Sequence, residues 1–206
     1  MSEEKKENHR IVSERIEGIL SDTSFNFSVR GLQKIHVLLF KGISGKAGDF
    51  RNKFNPRKKE PVLQGSSVRY ADSYEIPVLL EKIIFEEQNF DCSSLNIEKK
   101  IKHLCRFFSE LWKIHPFYDG NTRSTTLFMI KRMKELGFNV YNTSFEQNAS
   151  YFRDCLVRSA YETRRIPREF SFLEKFLLNV VNGIPVIEVS QVQLLRLKGY
   201  RVTRLN

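Results

Sequence analysis

The sequence predicts a mainly α-helical fold in a single domain, and three observations support this. Apolar residues recur at three- and four-residue intervals along most of the chain, a spacing that places them on one face of a helix. Only 10 glycines and 6 prolines occur in 206 residues, which argues against disorder or a fibrous repeat. With 17 phenylalanines and 41% hydrophobic residues, the chain can bury the core of one domain.

Two helices and a β-hairpin are predicted in the first third of the chain. A charged helix with a sparse apolar stripe spans residues 3–20, and the Ser-Asp-Thr-Ser segment at 21–24 ends it and offers caps for the next helix. Helical spacing returns over residues 27–40 and stops at closely spaced glycines. In residues 50–70, two prolines, a Gly-Ser-Ser turn and short apolar runs on either side favour a β-hairpin.

Five more helices are predicted downstream, at residues 76–88, 97–114, 121–136, 147–161 and 169–181. The second of these carries apolar residues along one whole face, and Pro116 and Gly120 interrupt the pattern before the third. Gly137 fits the C-cap of the third helix. The last residues, 184–206, alternate in part between apolar and polar, so they could form a strand or bind a partner.

The charge of the chain points to an anionic ligand or partner, although not to nucleic acid in particular. Lys and Arg number 34 against 24 Asp and Glu, a net charge of +10. Such a balance suits nucleic acid, an acidic partner or the phosphates of a nucleotide, and is also found on ordinary basic surfaces. Because no zinc-finger spacing or aromatic-interleaved basic repeat accompanies it, nucleic-acid binding is disfavoured.

The cysteines and the apolar segments indicate an intracellular protein. Cys92, Cys105 and Cys155 form no CxxC pair, which suits a reducing compartment and gives no metal framework. The charged N-terminus does not resemble a signal peptide, and no segment approaches the roughly 18 to 20 apolar residues of a membrane span. We therefore expect no membrane partner and a cytoplasmic location, with secretion as an effector left open.

The segment from Trp112 to Arg123 concentrates the groups that phosphate chemistry needs. His115, which titrates near neutrality, can take a proton from a hydroxyl. Asp119 offers the hard oxygen that Mg²⁺ prefers beside phosphates, and Arg123 offers a planar fork for phosphate oxygens. Gly120 permits close approach of the backbone at a helix N-terminus, where unpaired amides attract anions.

Together these residues resemble the signature of the Fic family, HxFx(D/E)GN followed one residue later by Arg. All six positions match: His115, Phe117, Asp119, Gly120, Asn121 and Arg123. The resemblance implies the Fic fold, a helical bundle with a small β-hairpin flap over the active site. It also implies a protein adenylyltransferase, which uses ATP and Mg²⁺ to transfer AMP to a Ser, Thr or Tyr hydroxyl of a target protein or of the chain itself.

The same resemblance implies a role for each residue of the loop. His115 would be the general base, Asp119 would hold Mg²⁺, and Phe117 would anchor the loop in the core. The phosphate chain would be bound by four consecutive residues: Gly120, Asn121, Thr122 and Arg123.

Two other segments are similar to parts of the family's nucleotide site. The turn at residues 48–51 resembles the GxFR turn that precedes the flap. The next residues, Val62, Leu63, Gln64 and Gly65, resemble the flap itself, which clamps the nucleotide (here through Val62) and pairs with a target segment by strand addition. Tyr151, Cys155 and Ser159 occupy the place of the helix that lines the adenine pocket, with ordinary core packing as the alternative.

An N-terminal brake is implied by residues 13–18, which fit the pattern (S/T)xxxE(G/N) of the inhibitory helix in self-inhibited Fic proteins through Ser13, Glu17 and Gly18. In the family this glutamate pairs with a second arginine, whose position here is Thr126. Thr122 likewise stands where AMP-transferring members usually carry Gly and a kinase-like subgroup carries Lys. These departures leave open the strength of the inhibition and the group that is transferred.

The sequence thus predicts an inhibitory helix at residues 1–22 within the same globular unit, a Fic core at 23–183 and a tail at 184–206. Alternatives to AMP transfer are a kinase-like transfer of phosphate or another nucleotide group, removal of AMP with the help of Glu17, and a non-enzymatic basic binding module. His9, His36 and His103 have no ligand partners at metal-site spacing, so they are predicted to be surface or core residues.

Overall fold

The computed structural model describes residues 3–53 and 59–186, and over these ranges the chain is mainly helical, as predicted. The α-helices are α1 (Glu3–Ser21), α2 (Val29–Phe40), α3 (Ile76–Gln88), α4 (Ile97–Ile114), α5 (Asn121–Glu135), α6 (Asn142–Gln147), α7 (Ala149–Ala160) and α8 (Ser171–Val181). Two short 3₁₀ turns lie at Pro61–Leu63 and Ser73–Glu75. All seven predicted helices are present, and only α6 was not predicted.

Helix α4 is the centre of the bundle and packs against α3, α5, α7 and α8. Its apolar face is sealed from solvent, with Leu104, Phe108, Leu111 and Trp112 almost or completely buried. The next helix, α5, is buried on nearly every side because α1, α2 and α4 surround it. The loop that joins α4 to α5 therefore starts and ends against the core, with Phe117 buried and Asp119 exposed.

The N-terminal helix α1 packs on α2 and α5 rather than standing apart from them. Val12 and Ile19 are buried on its inner side. Arg15 donates a hydrogen bond from its guanidinium to the carbonyl oxygen of Leu39, near the C-terminus of α2, at 2.9 Å. These contacts place α1 beside the start of α5.

The predicted β-hairpin is not found in the described part of residues 50–70. Pro61–Leu63 forms a 3₁₀ turn instead, closed by a hydrogen bond of 2.9 Å from the Glu60 amide to the Ser66 carbonyl oxygen. Val62 and Leu63 are both buried, whereas a strand points successive side chains to opposite faces. Residues 54–58 of the predicted hairpin and 187–206 of the predicted tail lie outside the described residues.

Within residues 3–53 and 59–186, no helix combines the length and the apolar character that a membrane crossing requires.

Candidate active site

The loop between α4 and α5 begins and ends with a residue in the left-handed conformation. His115 has φ 53° and ψ 59°, and Gly120 has φ 69° and ψ 4°. This conformation is uncommon for a residue other than glycine, so neighbouring contacts must hold His115 in it. Glycine is required at 120 for a second reason, since a Cβ atom there would lie 2.3 Å from the Phe40 ring.

Arg51 provides the main contacts that hold the beginning of this loop. It is 3% exposed, and its guanidinium donates to the carbonyl oxygens of His115 at 2.7 Å and of Ile114 at 3.2 Å. Its backbone amide donates to the carbonyl oxygen of Pro116 at 2.8 Å. One residue therefore binds three consecutive carbonyl groups where α4 ends, which fixes the backbone direction at His115.

The Asn121 side chain braces the loop from its other end. Its Oδ1 accepts from the Phe117 amide at 2.8 Å, and its Nδ2 donates to the Phe117 carbonyl oxygen at 2.9 Å. Phe117 is almost fully buried and forms an isolated antiparallel bridge with Phe50. The amide side chain of Asn121 is thus occupied by the loop itself, so what it offers a phosphate is its backbone N–H.

His36 on α2 supports the middle of the loop. Its Nδ1 accepts from the Gly48 amide at 2.8 Å, so Nε2 carries the proton and donates to the Asp119 carbonyl oxygen at 3.1 Å. The ring also stacks on Phe117 at 3.9 Å between centroids. His36 is therefore a buried residue that supports the loop, and its isolated position in the sequence did not indicate this role.

His115 is half-buried between two aromatic rings. Tyr70 stacks on its imidazole at 3.9 Å between centroids, and Trp112 meets it edge-on at 5.6 Å. Burial lowers the pKa of His115 to about 3, the nearby Arg51 and Arg153 add to this, and the Trp112 backbone and Asp119 oppose it. In the described part of the chain its Nδ1 is buried without a hydrogen bond of ordinary geometry. The imidazole is consequently neutral near pH 7.

A buried ion pair fastens the segment that carries Tyr70. Glu60 is 1% exposed and receives two hydrogen bonds from the Arg153 guanidinium on α7, the longer at 2.9 Å. The Arg153 guanidinium also lies 6.0 Å from the centre of the Trp112 ring. Neither residue belongs to a recognisable pattern in the sequence, so sequence reasoning missed this pair.

An anion cradle opens at the start of α5. The first hydrogen bond of the helix runs from the Ser124 amide to Gly120, which leaves the three preceding amides without partners in the helix. Asp119 and Arg123, both exposed, line a cavity of about 780 Å³ together with Lys46. The Arg123 guanidinium rests on the Phe40 ring at 4.6 Å. Free amides, a cation and a carboxylate are what a phosphate chain with Mg²⁺ needs.

In the described part of the chain, no cluster of three or more His, Cys, Asp or Glu side chains could hold a metal ion without help from a substrate. Asp119 nevertheless suits Mg²⁺, because this ion is commonly bound by one or two carboxylates with substrate phosphates and water completing its shell.

A second cavity, of about 430 Å³, lies on the other side of Arg123 and is mostly apolar. Its walls come from α1, α5, α6 and the start of α7, and include Val12, Phe145 and Phe152. Thr122, Arg123 and Thr126 also line it, and Arg123 is shared with the larger cavity. The described structure thus offers an apolar chamber directly beside the phosphate-binding groups.

The three residues predicted to contact adenine are buried in the core. Tyr151 is 6% exposed, and Cys155 and Ser159 are almost or completely buried. The Ser159 hydroxyl bonds to the Ser109 hydroxyl at 2.7 Å and to the Leu156 carbonyl oxygen at 2.9 Å. In this arrangement Ser159 holds α7 against α4, which is the alternative that the sequence had left open.

The residues predicted to form the flap and the inhibitory helix differ from one another in burial and in position. Val62 and Leu63 are buried under their turn, whereas Gln64 and Gly65 are exposed at its tip. Of the α1 residues, Ser13 lines the apolar cavity, but Glu17 and Gly18 lie further along the helix, exposed and away from the cavity wall. Thr126, at the place of the family's second arginine, donates to the Thr122 carbonyl oxygen at 2.7 Å.

Comparison with known proteins agrees with the geometry of the loop. The sequence model of the Fic/DOC family matches residues 26–132, about half of the chain. One curated relative, the ribonucleoside-diphosphate reductase small chain of Ostreid herpesvirus 1 (isolate France), is 27% identical over 131 residues. That match covers 59% of this chain and 22% of the relative, so the chain spans about a fifth of the curated relative it matches.

Solved Fic domains from Bartonella effectors share the fold. BepC from Bartonella tribocorum, with bound AMPPNP, is 16% identical, with a TM-score of 0.70 over 86% of this chain and 85% of that chain. The N-terminal Fic domain of a Bep effector from Bartonella sp. AR 15-3 is 20% identical, with a TM-score of 0.68 over 87% and 82%. A Fic domain from Bartonella quintana with bound ADP is 18% identical, with a TM-score of 0.59 over 88% and 79%.

Arg51→Lys should loosen the start of the loop, because an ammonium group lacks the fork that reaches two carbonyl groups at once. We expect the free energy of unfolding, measured in urea, to fall by about 2 to 4 kcal/mol. Arg69→Lys, at an exposed site, is the matched control. Equal stability of the two variants would contradict the role given to Arg51.

The half-buried, neutral His115 should make the protein less stable in acid. The unfolded chain binds a proton on this residue below about pH 6.5, whereas the folded chain does so only near pH 3. Stability should therefore fall as the pH drops from 6.5 towards 3, and His115→Gln should reduce this slope. It should not remove it, since burial also lowers the pKa of His36.

Urea midpoints between pH 7.5 and 5.0 measure this slope, with His9→Gln as the exposed-site control. An unchanged slope in His115→Gln would show that His115 is not held neutral by the fold.

Proposed function

The chain belongs to the Fic/DOC family, and we propose that it transfers AMP from ATP to a Ser, Thr or Tyr hydroxyl of a target protein. The observation that carries this proposal is the neutral His115, held in the left-handed conformation beside the anion cradle at the start of α5. Similar Fic domains contain AMPPNP or ADP, which supports a nucleotide as the ligand.

In the proposed reaction His115 acts as the general base. Its neutral imidazole accepts the proton of the target hydroxyl while that oxygen attacks the α-phosphorus of ATP. The bond from this phosphorus to the bridging oxygen breaks, and pyrophosphate leaves. Catalysis of this kind depends on positioning and on stabilising the developing negative charge.

The cradle would supply that charge stabilisation. The free amides of Asn121, Thr122 and Arg123, the backbone at Gly120 and the Arg123 guanidinium are proposed to bind the phosphate oxygens. Asp119 would hold Mg²⁺, which neutralises negative charge on the phosphates when bound. The oxygens of Asp119 and the cation of Arg123 line the same cavity, so both can meet one phosphate chain.

The turn at Pro61–Leu63 is the proposed docking point for the target. Its exposed tip, Gln64 and Gly65, can meet a target segment, while the buried Val62 and Leu63 support the turn from below. The Glu60–Arg153 pair keeps this turn attached to α7, close to the aromatic rings around His115.

A second candidate is transfer of the γ-phosphate, as in the kinase-like subgroup. Two observations favour it. The apolar cavity of about 430 Å³ is lined by Thr122 and Arg123, so it can take a nucleobase beside the phosphate-binding groups. Conversely, Cys155 and Ser159, on the side predicted for adenine, are sealed in the core.

Intact-mass measurement after incubation with ATP and Mg²⁺ separates the two candidates. We expect a gain that matches AMP on the protein or on an added target, and loss of this gain in His115→Ala with nucleotide binding kept. A gain matching phosphate would support the kinase-like candidate. No gain on the protein or on any target, or an equal gain in His115→Ala, would refute the proposed function.

We also propose that α1 restrains the site, but weakly. Glu17 is exposed, and Thr126 offers it no cation, so the interaction is comparable to an exposed charge contact of about 0 to 1 kcal/mol. Glu17→Gln should therefore raise self-modification by at most about fivefold. Glu14→Gln on the same helix is the control, and a rise in Glu17→Gln well beyond tenfold would contradict weak restraint.

A further inference from the structure

Thr122 stands where AMP-transferring members of the family usually carry Gly, and in the structure its hydroxyl has a hydrogen-bond partner. The indole Nε1–H of Trp112, on the last turn of α4, donates to the Thr122 Oγ1 on the first turn of α5, at 3.0 Å. Trp112 is completely buried, so its N–H has no access to solvent. The bond therefore joins the two helices directly across the loop that carries His115.

The ring that Thr122 holds also borders His115. Trp112 meets the His115 imidazole edge-on, with the ring planes at 86°, and meets Tyr70 edge-on at 5.7 Å. Tyr70 in turn stacks on the His115 imidazole. Any rotation of the indole would thus disturb the packing around the proposed base.

Thr126, the second departure from the family pattern, supports Thr122. Its hydroxyl donates to the Thr122 carbonyl oxygen one turn earlier, at 2.7 Å. Thr122 is therefore tied through its side chain to α4 and through its backbone to the next turn of α5. The two threonines form one hydrogen-bonded series that ends at Trp112.

We propose that Thr122 is a positioning residue, whose hydroxyl fixes the Trp112 indole and so keeps the His115 imidazole in register with the amides at the start of α5. This inference rests on the proposed function for its catalytic consequence. Its structural part stands on the hydrogen bond and the ring contacts alone. A valine or a glycine at 122 would leave the buried indole N–H without an acceptor, whereas a serine would keep one.

The first test is a ¹⁵N–¹H spectrum, in which the single tryptophan gives one indole signal. In the wild type and in Thr122→Ser the indole proton should resonate downfield and exchange slowly with solvent. In Thr122→Val, which keeps the size of the side chain, it should shift upfield and exchange faster. Thr143→Val, at an exposed site on α6, is the matched control.

The second test asks whether the bond positions His115. The histidine ring signals of His115, assigned by comparison with His115→Ala, should move in Thr122→Val and return in Thr122→Ser. In the transfer assay, Thr122→Val should lower kcat about tenfold with KM for ATP within about twofold, and Thr122→Ser should restore kcat. A general loss of structure in Thr122→Val would instead move signals throughout the spectrum and lower the unfolding midpoint.

The outcomes separate this inference from the proposed function. If the wild-type protein has no transfer activity, the proposed function is refuted. The indole and His115 signals then show by themselves whether Thr122 positions the two rings. An unchanged indole signal in Thr122→Val overturns the hydrogen bond. A changed indole signal with an unmoved His115 signal, or with unchanged kcat in an active protein, overturns the positioning role.

Discussion

The arrangement of the site depends on how the end of α4 is held. A helix C-terminus leaves carbonyl groups without intrahelical partners, and it carries the negative end of the helix dipole. Arg51 is buried there and meets this need with a cation that binds the carbonyl oxygens of Ile114 and His115. Its guanidinium also donates to the carbonyl oxygens of Lys53 and Ala71, so in the described part of the chain its recorded hydrogen-bond partners are all backbone carbonyl groups. Cation and helix end thus stabilise each other, and His115 is fixed in a conformation that it would otherwise seldom adopt.

The other contacts around the loop extend this constraint. His36 holds the Asp119 carbonyl group, Asn121 holds both polar groups of Phe117, and Gly120 lets the chain pass against Phe40. These groups are satisfied within the protein, whereas Asp119 and Arg123 are exposed beside the first amides of α5. The fold therefore separates residues that build the loop from residues that can meet a ligand.

Much of this could be predicted from the sequence, for identifiable reasons. The helices that bury a long apolar stripe, such as α4, have a clear period, whereas α6 has one buried residue, Phe145, in six and no period to detect. The predicted hairpin is not found in the described residues, where Pro61 and the adjacent buried pair Val62 and Leu63 favour a tight turn that points inward.

The site was predicted where its residues are consecutive, and missed where they are brought together by the fold. His115, Asp119 and Arg123 lie within nine residues, so their spacing is visible. His36, and the pair of Glu60 and Arg153, reach the loop from three separate segments, and nothing in their local sequence marks them. The buried position of Ser159 on α7 is also a property of packing, since helical spacing alone fits both a pocket and a core.

The most direct test of the account is a comparison of ATP labelled at the α-phosphate with ATP labelled at the γ-phosphate, using wild type and His115→Ala. The account predicts that a protein hydroxyl gains the α-label in the wild type and that His115→Ala transfers neither label. Transfer of the γ-label alone would contradict AMP transfer while keeping His115 as the base. Transfer that persists in His115→Ala would contradict the central claim that the neutral imidazole at the end of α4 drives the reaction.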